Sequence, residues 1–259
     1  MSGFRQAAVV QARVIGALML RDLVIQSSVS AIPYANIVVR HSAVTAMLYV
    51  MGKANSAYTP QGFPLLVFIN TGYLAWNAFI RCFSGVNYRG SVPLLLFPHV
   101  TPLDFALSRA AVDFVIYSVL FIVFCIAGVL FDQASPPDNP LGVMLAFWFA
   151  ILLGFGLGII ASTITRFTTL FDDAFIAFRL TGFAVSGVFV LASDTPQFVL
   201  QWLQYNPLFQ SIEWMRQCWW PAYQSPIANP AYIVEFLFFL FAVGLAFERA
   251  TRRRHGDDV

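Results

Sequence analysis

The sequence predicts an all-α integral membrane protein with six transmembrane helices in one domain, 1–259. Three observations lead there. Hydrophobic residues make up 59% of the chain and charged residues 11%, against about 25% charged in an ordinary soluble domain. Long uncharged stretches recur, the clearest being 141–165 and 114–131, and about 20 apolar residues are enough to cross a hydrocarbon core roughly 30 Å thick. The basic residues between these stretches gather on one side, the asymmetry that orients membrane proteins.

Residues 4–28 read as a helix lying along the membrane interface, because Arg5, Gln6, Arg13 and Arg21 occupy less than half of its wheel. A solvated lead-in helix is the alternative. The first span, 33–51, carries Arg40 and His41 near its middle, where an arginine costs about 2.5 to 3.5 kcal/mol on insertion scales. Charge placement supports this span nonetheless. With six spans, Arg5, Arg13, Arg21, Arg81, Arg89, Arg109, Arg166, Arg179, Arg249, Arg252, Arg253 and Arg254 share one side, against Lys53 and Arg216 on the other. Without it, the N-terminal arginines would lie opposite the C-terminal cluster. Both termini are therefore expected in the cytoplasm.

The second span covers 64–83. The loop 87–104 follows, where Pro93, Pro98 and Pro102 bar a long helix and Leu94, Leu95, Leu96 and Phe97 offer a short apolar face. Such a loop either binds a partner or packs on the protein's own helices. The third span is 106–131, with Arg109 and Asp113 four residues apart and placed to pair at its cytoplasmic end. The fourth and fifth spans are 141–165 and 174–193. The sixth is 228–247, followed by a cytoplasmic tail, 248–259.

The outer segment 196–225 has a different character. It holds Trp202, Tyr205, Phe209, Trp214, Trp219, Trp220 and Tyr223, broken at Pro207 and Pro221. Irregular backbone at membrane depth is tolerated where it is buried in protein or lines a watery cavity, so a re-entrant pair of short helices is expected. An interfacial aromatic belt is the bland alternative. Glu213 and Arg216, three residues apart, can pair on one helix face, a feature that a belt does not need.

Several chemistries lack their residues. Lys53 is the single lysine, and Met47 stands where a phosphate-binding G-x-x-x-x-G-K-[ST] loop ending at Gly52-Lys53 would need its first glycine. His41, His99 and His255 are scattered, as are Cys82, Cys125 and Cys218. Neither set has metal-ligand spacing, and no H-E-x-x-H or G-x-S-x-G motif is present. The cysteines read as small buried apolar groups. No acidic residue stands clearly at mid-membrane, which disfavours an ion-coupled carrier.

Four stretches together resemble one family. "IGALMLRDL" at 15–23, "LLLFPHVTPLDFALSRAAVDF" at 94–114, "YNPLFQSIEWMRQCWWPAY" at 205–223 and "FERATRRR" at 247–254 are similar to segments of the permease subunits of ABC-2 type exporters of capsular polysaccharide and O-antigen, the capsule branch being closer. The segment 24–52 departs from the basic, aromatic stretch usual there. The resemblance implies a homodimer of six-span subunits in the bacterial inner membrane, docked on two copies of a cytoplasmic ATPase that binds the ATP and Mg. This chain would bind no cofactor and catalyse no reaction itself. Asn87, Tyr88, Arg89 and Phe97 would couple the ATPase to the membrane helices. Trp202, Tyr205, Phe209, Trp214, Trp219, Trp220 and Tyr223 would line the exit of a lipid-linked polysaccharide. Periplasmic and outer-membrane export proteins are implied as further partners, and nucleic acid is not. Teichoic acid, a lipid or a drug are the alternative cargoes, since one architecture hosts many functions.

Overall fold

Among the described residues of the computed structural model, 2–27, 32–54, 63–86, 101–131, 134–165 and 170–256, nine α-helices follow one another and no strand forms. They are α1 (Ser2–Ser27), α2 (Ile32–Ala54), α3 (Leu65–Gly85), α4 (Pro102–Phe131), α5 (Pro140–Ile164), α6 (Leu170–Val185), α7 (Gln197–Leu203), α8 (Pro207–Trp219) and α9 (Pro230–Gly256). A 3-10 turn at Ala192–Asp194 lies between α6 and α7.

Among the described residues, three segments are long and apolar enough to cross a membrane: Pro102–Phe131, Pro140–Ile164 and Pro230–Thr251. The expectation of six spans is therefore met on these grounds by three. The others are more polar or shorter, and α3 shows why polarity can be tolerated. It carries Asn70, Thr71, Asn77 and Arg81, yet α2, α4, α5 and α8 pack around it. Buried Asn70 donates through Nδ2 to the Phe124 carbonyl at 3.2 Å, tying α3 to α4. A helix sheathed by protein does not need an apolar surface all round.

The approach of α5 to α3 is set by two glycines. A Cβ on Gly154 would lie 2.2 Å from the Phe79 carbonyl oxygen, and one on Gly158 would lie 2.8 Å from that of Phe83. This small-x-x-x-small spacing lets two backbones touch, as in membrane helix pairs. On the α4 side of α5, Phe147 stacks on Phe121 with ring centroids 4.2 Å apart.

By contrast, α6 meets α3 through large rings. Trp76 faces Phe183 at 5.8 Å, Phe79 faces Phe178 at 6.3 Å and Phe83 faces Phe175 at 5.3 Å between centroids, an antiparallel aromatic ladder. The predicted fifth span, 174–193, requires correction: the helix stops at Val185. Gly187 has φ 79°, a left-handed conformation that ends helices and that glycine adopts readily. The apolar run continues past this point while the helix does not.

Helix starts follow a repeated device. Three Asn-Pro pairs, at 139–140, 206–207 and 229–230, open α5, α8 and α9. The Asn139 side chain accepts from Gly142 N at 2.9 Å, Asn206 from Leu208 N at 3.1 Å, and Asn229 from Ala231 N at 3.1 Å. Each proline then occupies the first helical position, where its missing N–H has no role to fill. At α4, Thr101 Oγ1 accepts from Asp104 N at 3.3 Å while the Asp104 carboxylate accepts from Thr101 N at 2.9 Å, a reciprocal capping box. The helix consequently starts at Pro102, ahead of the predicted 106. The C-terminal helix likewise outruns its predicted end at 247 and reaches Gly256.

Candidate functional site

The segment 196–225 folds as two short helices, α7 and α8, joined at Asn206. At 13 residues, α8 extends about 20 Å at 1.5 Å per residue, less than a bilayer core. It packs on α5, α9 and α3, and its first turn is held by the Asn206 cap. The same Asn206 donates through Nδ2 to the Val185 carbonyl at 3.0 Å, one of the groups left unpaired where α6 ends.

Glu213 and Arg216 form the centre of this element. Arg216 Nη1 lies 3.3 Å from Glu213 Oε1, with both side chains fully buried. Arg216 also donates through Nη1 to the Gly187 and Val190 carbonyls at 2.8 and 3.0 Å, and through Nη2 to that of Val188 at 2.8 Å. Its guanidinium lies 4.1 Å above the Phe68 ring of α3. The second Glu213 oxygen accepts from Tyr223 Oη and from Ser225 Oγ, the latter at 2.9 Å. Burial, reinforced by the Glu213 carboxylate, pushes the Tyr223 phenol above its ordinary pKa, so Tyr223 remains a donor. One buried ion pair thus joins the end of α6, α8, α3 and the 220–225 loop.

The predicted exit aromatics divide by position. Phe209, Trp219, Trp220 and Tyr223 are buried. Trp219 Nε1 donates to the Ser135 carbonyl at 3.1 Å, and Phe63 stacks on Trp220 at 4.1 Å and meets Tyr223 edge-on at 5.4 Å. These side chains pack against their own chain. Trp214 is half-buried against Phe149 at 5.8 Å. Trp202 and Tyr205 are open, at 76% and 65% exposure.

Beside Tyr205 lies an open pocket of about 440 Å³, lined in part by Gln204, Gln210, Asn229 and Tyr232. Tyr232 Oη donates to the Tyr205 carbonyl at 2.9 Å, and Asn229 N donates to Gln210 Oε1 at 3.2 Å. The pocket therefore combines two phenol rings with side-chain amides held in place by backbone groups. Flat rings with polar tips suit apolar faces edged by hydroxyls, and amides both donate and accept. Sequence reading singled out Tyr205 and missed the rest, because the amides converge from α8 and from the α9 cap with no motif linking them.

At the other end of the bundle, Asp113 is buried, with Arg109 Nε 3.7 Å and Arg81 Nε 3.3 Å from its two oxygens. Arg81 was not anticipated as a partner, being 32 residues away in sequence. Gln11 of α1 donates through Nε2 to Asp104, fastening α1 to the capped start of α4. Asn87, Tyr88, Arg89 and Phe97, predicted to couple to an ATPase, lie outside the described residues. Among the described residues, no group of three His, Cys, Asp or Glu side chains gathers as a metal site would require.

No family model matches the chain. Curated relatives do, along most of their length. The capsule polysaccharide export inner-membrane protein CtrC of Neisseria meningitidis serogroup A is 22% identical over 249 residues, 95% of this chain and 93% of the relative. The capsule polysaccharide export inner-membrane protein BexB of Haemophilus influenzae is 23% identical over 217 residues, 82% of this chain and 81% of the relative. These relatives support a capsule-export permease. In the CtrC case the aligned span runs across α7 and α8, since it leaves out only 5% of the chain.

Proposed function

We propose that the chain is the membrane permease subunit of an ATP-driven exporter that moves lipid-linked capsular polysaccharide across the bacterial inner membrane. The observation that carries this reading is the similarity to capsule polysaccharide export inner-membrane proteins over 95% of the chain. In this reading six helices, α2 to α6 and α9, cross the bilayer with both termini in the cytoplasm, and two copies of the chain enclose the path. A separate ATPase, binding ATP and Mg, docks at 87–104 through Asn87, Tyr88, Arg89 and Phe97, and its closure is passed to α4 and to α1. The absence of a phosphate-binding loop in the sequence agrees with such a division of labour.

The outer helices α7 and α8 bound the exit. Trp202, Tyr205 and the adjacent amide-lined pocket supply sugar-facing surface, while Phe209, Trp219, Trp220 and Tyr223 hold the element rigid. The test is deletion of the gene in its host, with polysaccharide assayed at the cell surface and inside the cell. Polymer lost outside and accumulated inside is the expected result. Unchanged surface polymer in a host with no second exporter would overturn the cargo. Arg89→Glu is expected to leave the protein inserted while abolishing export, and normal export in that variant would remove the coupling assignment.

A further inference from the structure

Two contacts tie α4 to α5 near their middles. Trp148 Nε1 donates to Ser118 Oγ at 3.0 Å, and Phe121 stacks on Phe147 at 4.2 Å. Past that stack, toward the turn 134–140, a cavity of about 350 Å³ opens, lined in part by Cys125, Ile126, Val129, Val143, Met144 and Trp219. Its mouth lies on the outer face of α4, where the lining residues Ile122, Ile126 and Leu130 are 45%, 53% and 71% exposed. Trp219 belongs to α8, so the cavity reaches from the surface of α4 to the outer helices.

The walls leave no strong hydrogen-bond donor free. The Trp219 indole N–H is given to the Ser135 carbonyl at 3.1 Å. Pro136, Pro137 and Pro140 form the side nearest the turn, and proline has no N–H to leave bare. The Asp138 and Asn139 N–H groups of that turn go to the Trp219 and Cys218 carbonyls at 3.3 and 2.9 Å. A backbone so satisfied is what irregular structure needs where it borders hydrocarbon. Ordered water wants two to four polar partners, so this cavity suits an apolar occupant.

Its surroundings and dimensions narrow the choice. Both α4 and α5 are apolar enough to cross a membrane, so the mouth opens on hydrocarbon. Phe121 and Leu130, both in the lining, are about 14 Å apart along the helix at 1.5 Å per residue, the depth of one leaflet of a roughly 30 Å core. A second helix, about 10 Å across, would occupy roughly three times the cavity's volume over that length. An alkyl chain is thin and runs in the same direction as α4. We propose that this cavity is a lipid site, holding one acyl chain from the leaflet on the side of the turn 134–140. Lipid tails are as apolar as the lining, so transfer from water supplies no drive; occupancy comes from filling a void whose walls otherwise lack contact partners. The bound chain packs against Trp219 and thereby braces α8. The assignment requires that α4 and α5 cross the bilayer and is independent of the cargo.

The test uses the full-length protein in phosphatidylcholine bilayers containing a phosphatidylcholine with a photoreactive diazirine in its acyl chain, with adducts mapped by peptide mass spectrometry. Lipid that merely surrounds the protein would label the open positions Val119 and Val123 of α4 and spare the recessed Cys125 and Met144. Preferential adducts at Cys125 and Met144 are expected instead. Ile126→Trp, which fills the mouth from an exposed position, should reduce them several-fold and leave adducts at Val119 unchanged, whereas Val119→Trp should leave Cys125 and Met144 labelling as in wild type. Should Ile126→Trp fail to fold, Ile122→Trp takes its place. Labelling confined to Val119 and Val123, or equal Cys125 and Met144 labelling with the mouth filled, would overturn the proposal. Cross-linking of Cys125 between two copies by a short bis-maleimide, without lipid adducts there, would overturn it too and assign the cavity to a second copy of the chain. Export plays no part in the measurement, so a cargo refuted by gene deletion leaves this result standing.

Discussion

Arg216 touches Glu213 at 3.3 Å through Nη1, and Nη1 and Nη2 also donate to the Gly187, Val190 and Val188 carbonyls in the turn that follows α6. An arginine in this position fixes the turn that follows a neighbouring helix. The carbonyls of Gly187, Val188 and Val190 lie in the turn beyond α6, and a guanidinium with its forked donors is the side chain able to satisfy several at once. Removing it strands both Glu213 and those carbonyls. Arg216→Leu is therefore expected to destabilise by about 3–5 kcal/mol, the range for breaking one partner out of a buried pair. Glu213→Leu with Arg216→Leu should be less damaging than the sum of the single changes. Thermal unfolding of detergent-purified protein checks both, and a single variant as stable as wild type would contradict the clamp.

The two sets of outer aromatics should behave differently. Trp219→Ala and Trp220→Ala each open a cavity among Phe63, Tyr223 and the 135–139 backbone, with an expected loss of about 3–5 kcal/mol. Membrane abundance should fall along with export in these variants. Trp202→Ala with Tyr205→Ala removes rings that are mostly open, so abundance should stay near wild type while surface polymer falls. Abundance by fluorescence-detected gel filtration, set against surface polymer, separates the two. Normal export in the Trp202 and Tyr205 variant would take those residues out of the path.

The distinction between these aromatics was not legible in the sequence, because ring content marks a membrane interface, a core and a sugar track equally. Periodicity and charge asymmetry were enough to place the helical stretches, and the i,i+3 spacing of Glu213 and Arg216 was enough to nominate that pair. The partners of Arg216 were invisible, since backbone carbonyls 26 to 29 residues away leave no side-chain signature. Hydropathy overran α6 for a related reason: the stretch after Val185 is still apolar, and a positive φ at Gly187 does not register on a hydropathy scale. The Asn-Pro pairs did carry a readable signal. They look like chain breaks and are helix starts.

The α3–α5 contact gives a prediction independent of any cargo. A side chain at Gly154 meets the Phe79 carbonyl, a backbone atom that cannot swing aside. Gly154→Val should force the helices apart and lower the yield of folded protein sharply. Gly244→Ala serves as a control, because its nearest neighbours are side-chain atoms of Ile159 and Ile160 at 3.3 and 3.4 Å. Gel filtration of the two variants side by side reads the contrast, and equal profiles would mean that the close approach is not needed for folding.

The capped start of α4 offers a gentler perturbation at the point where the proposed coupling loop ends. Thr101→Ala removes the hydroxyl that receives the Asp104 N–H, with an expected loss of about 1 kcal/mol, typical of an N-cap. Gln11→Ala removes the bond from α1 to the same Asp104 carboxylate and leaves the cap intact. Because α1 and α4 both meet at Asp104, and the loop 87–104 is proposed to receive the ATPase, the Gln11 change should raise ATP turnover per polymer exported while hardly altering the unfolding temperature. Turnover and export measured together in a reconstituted complex test this. Proportional losses of both, with a lowered unfolding temperature, would mean that Gln11 only holds α1 in place.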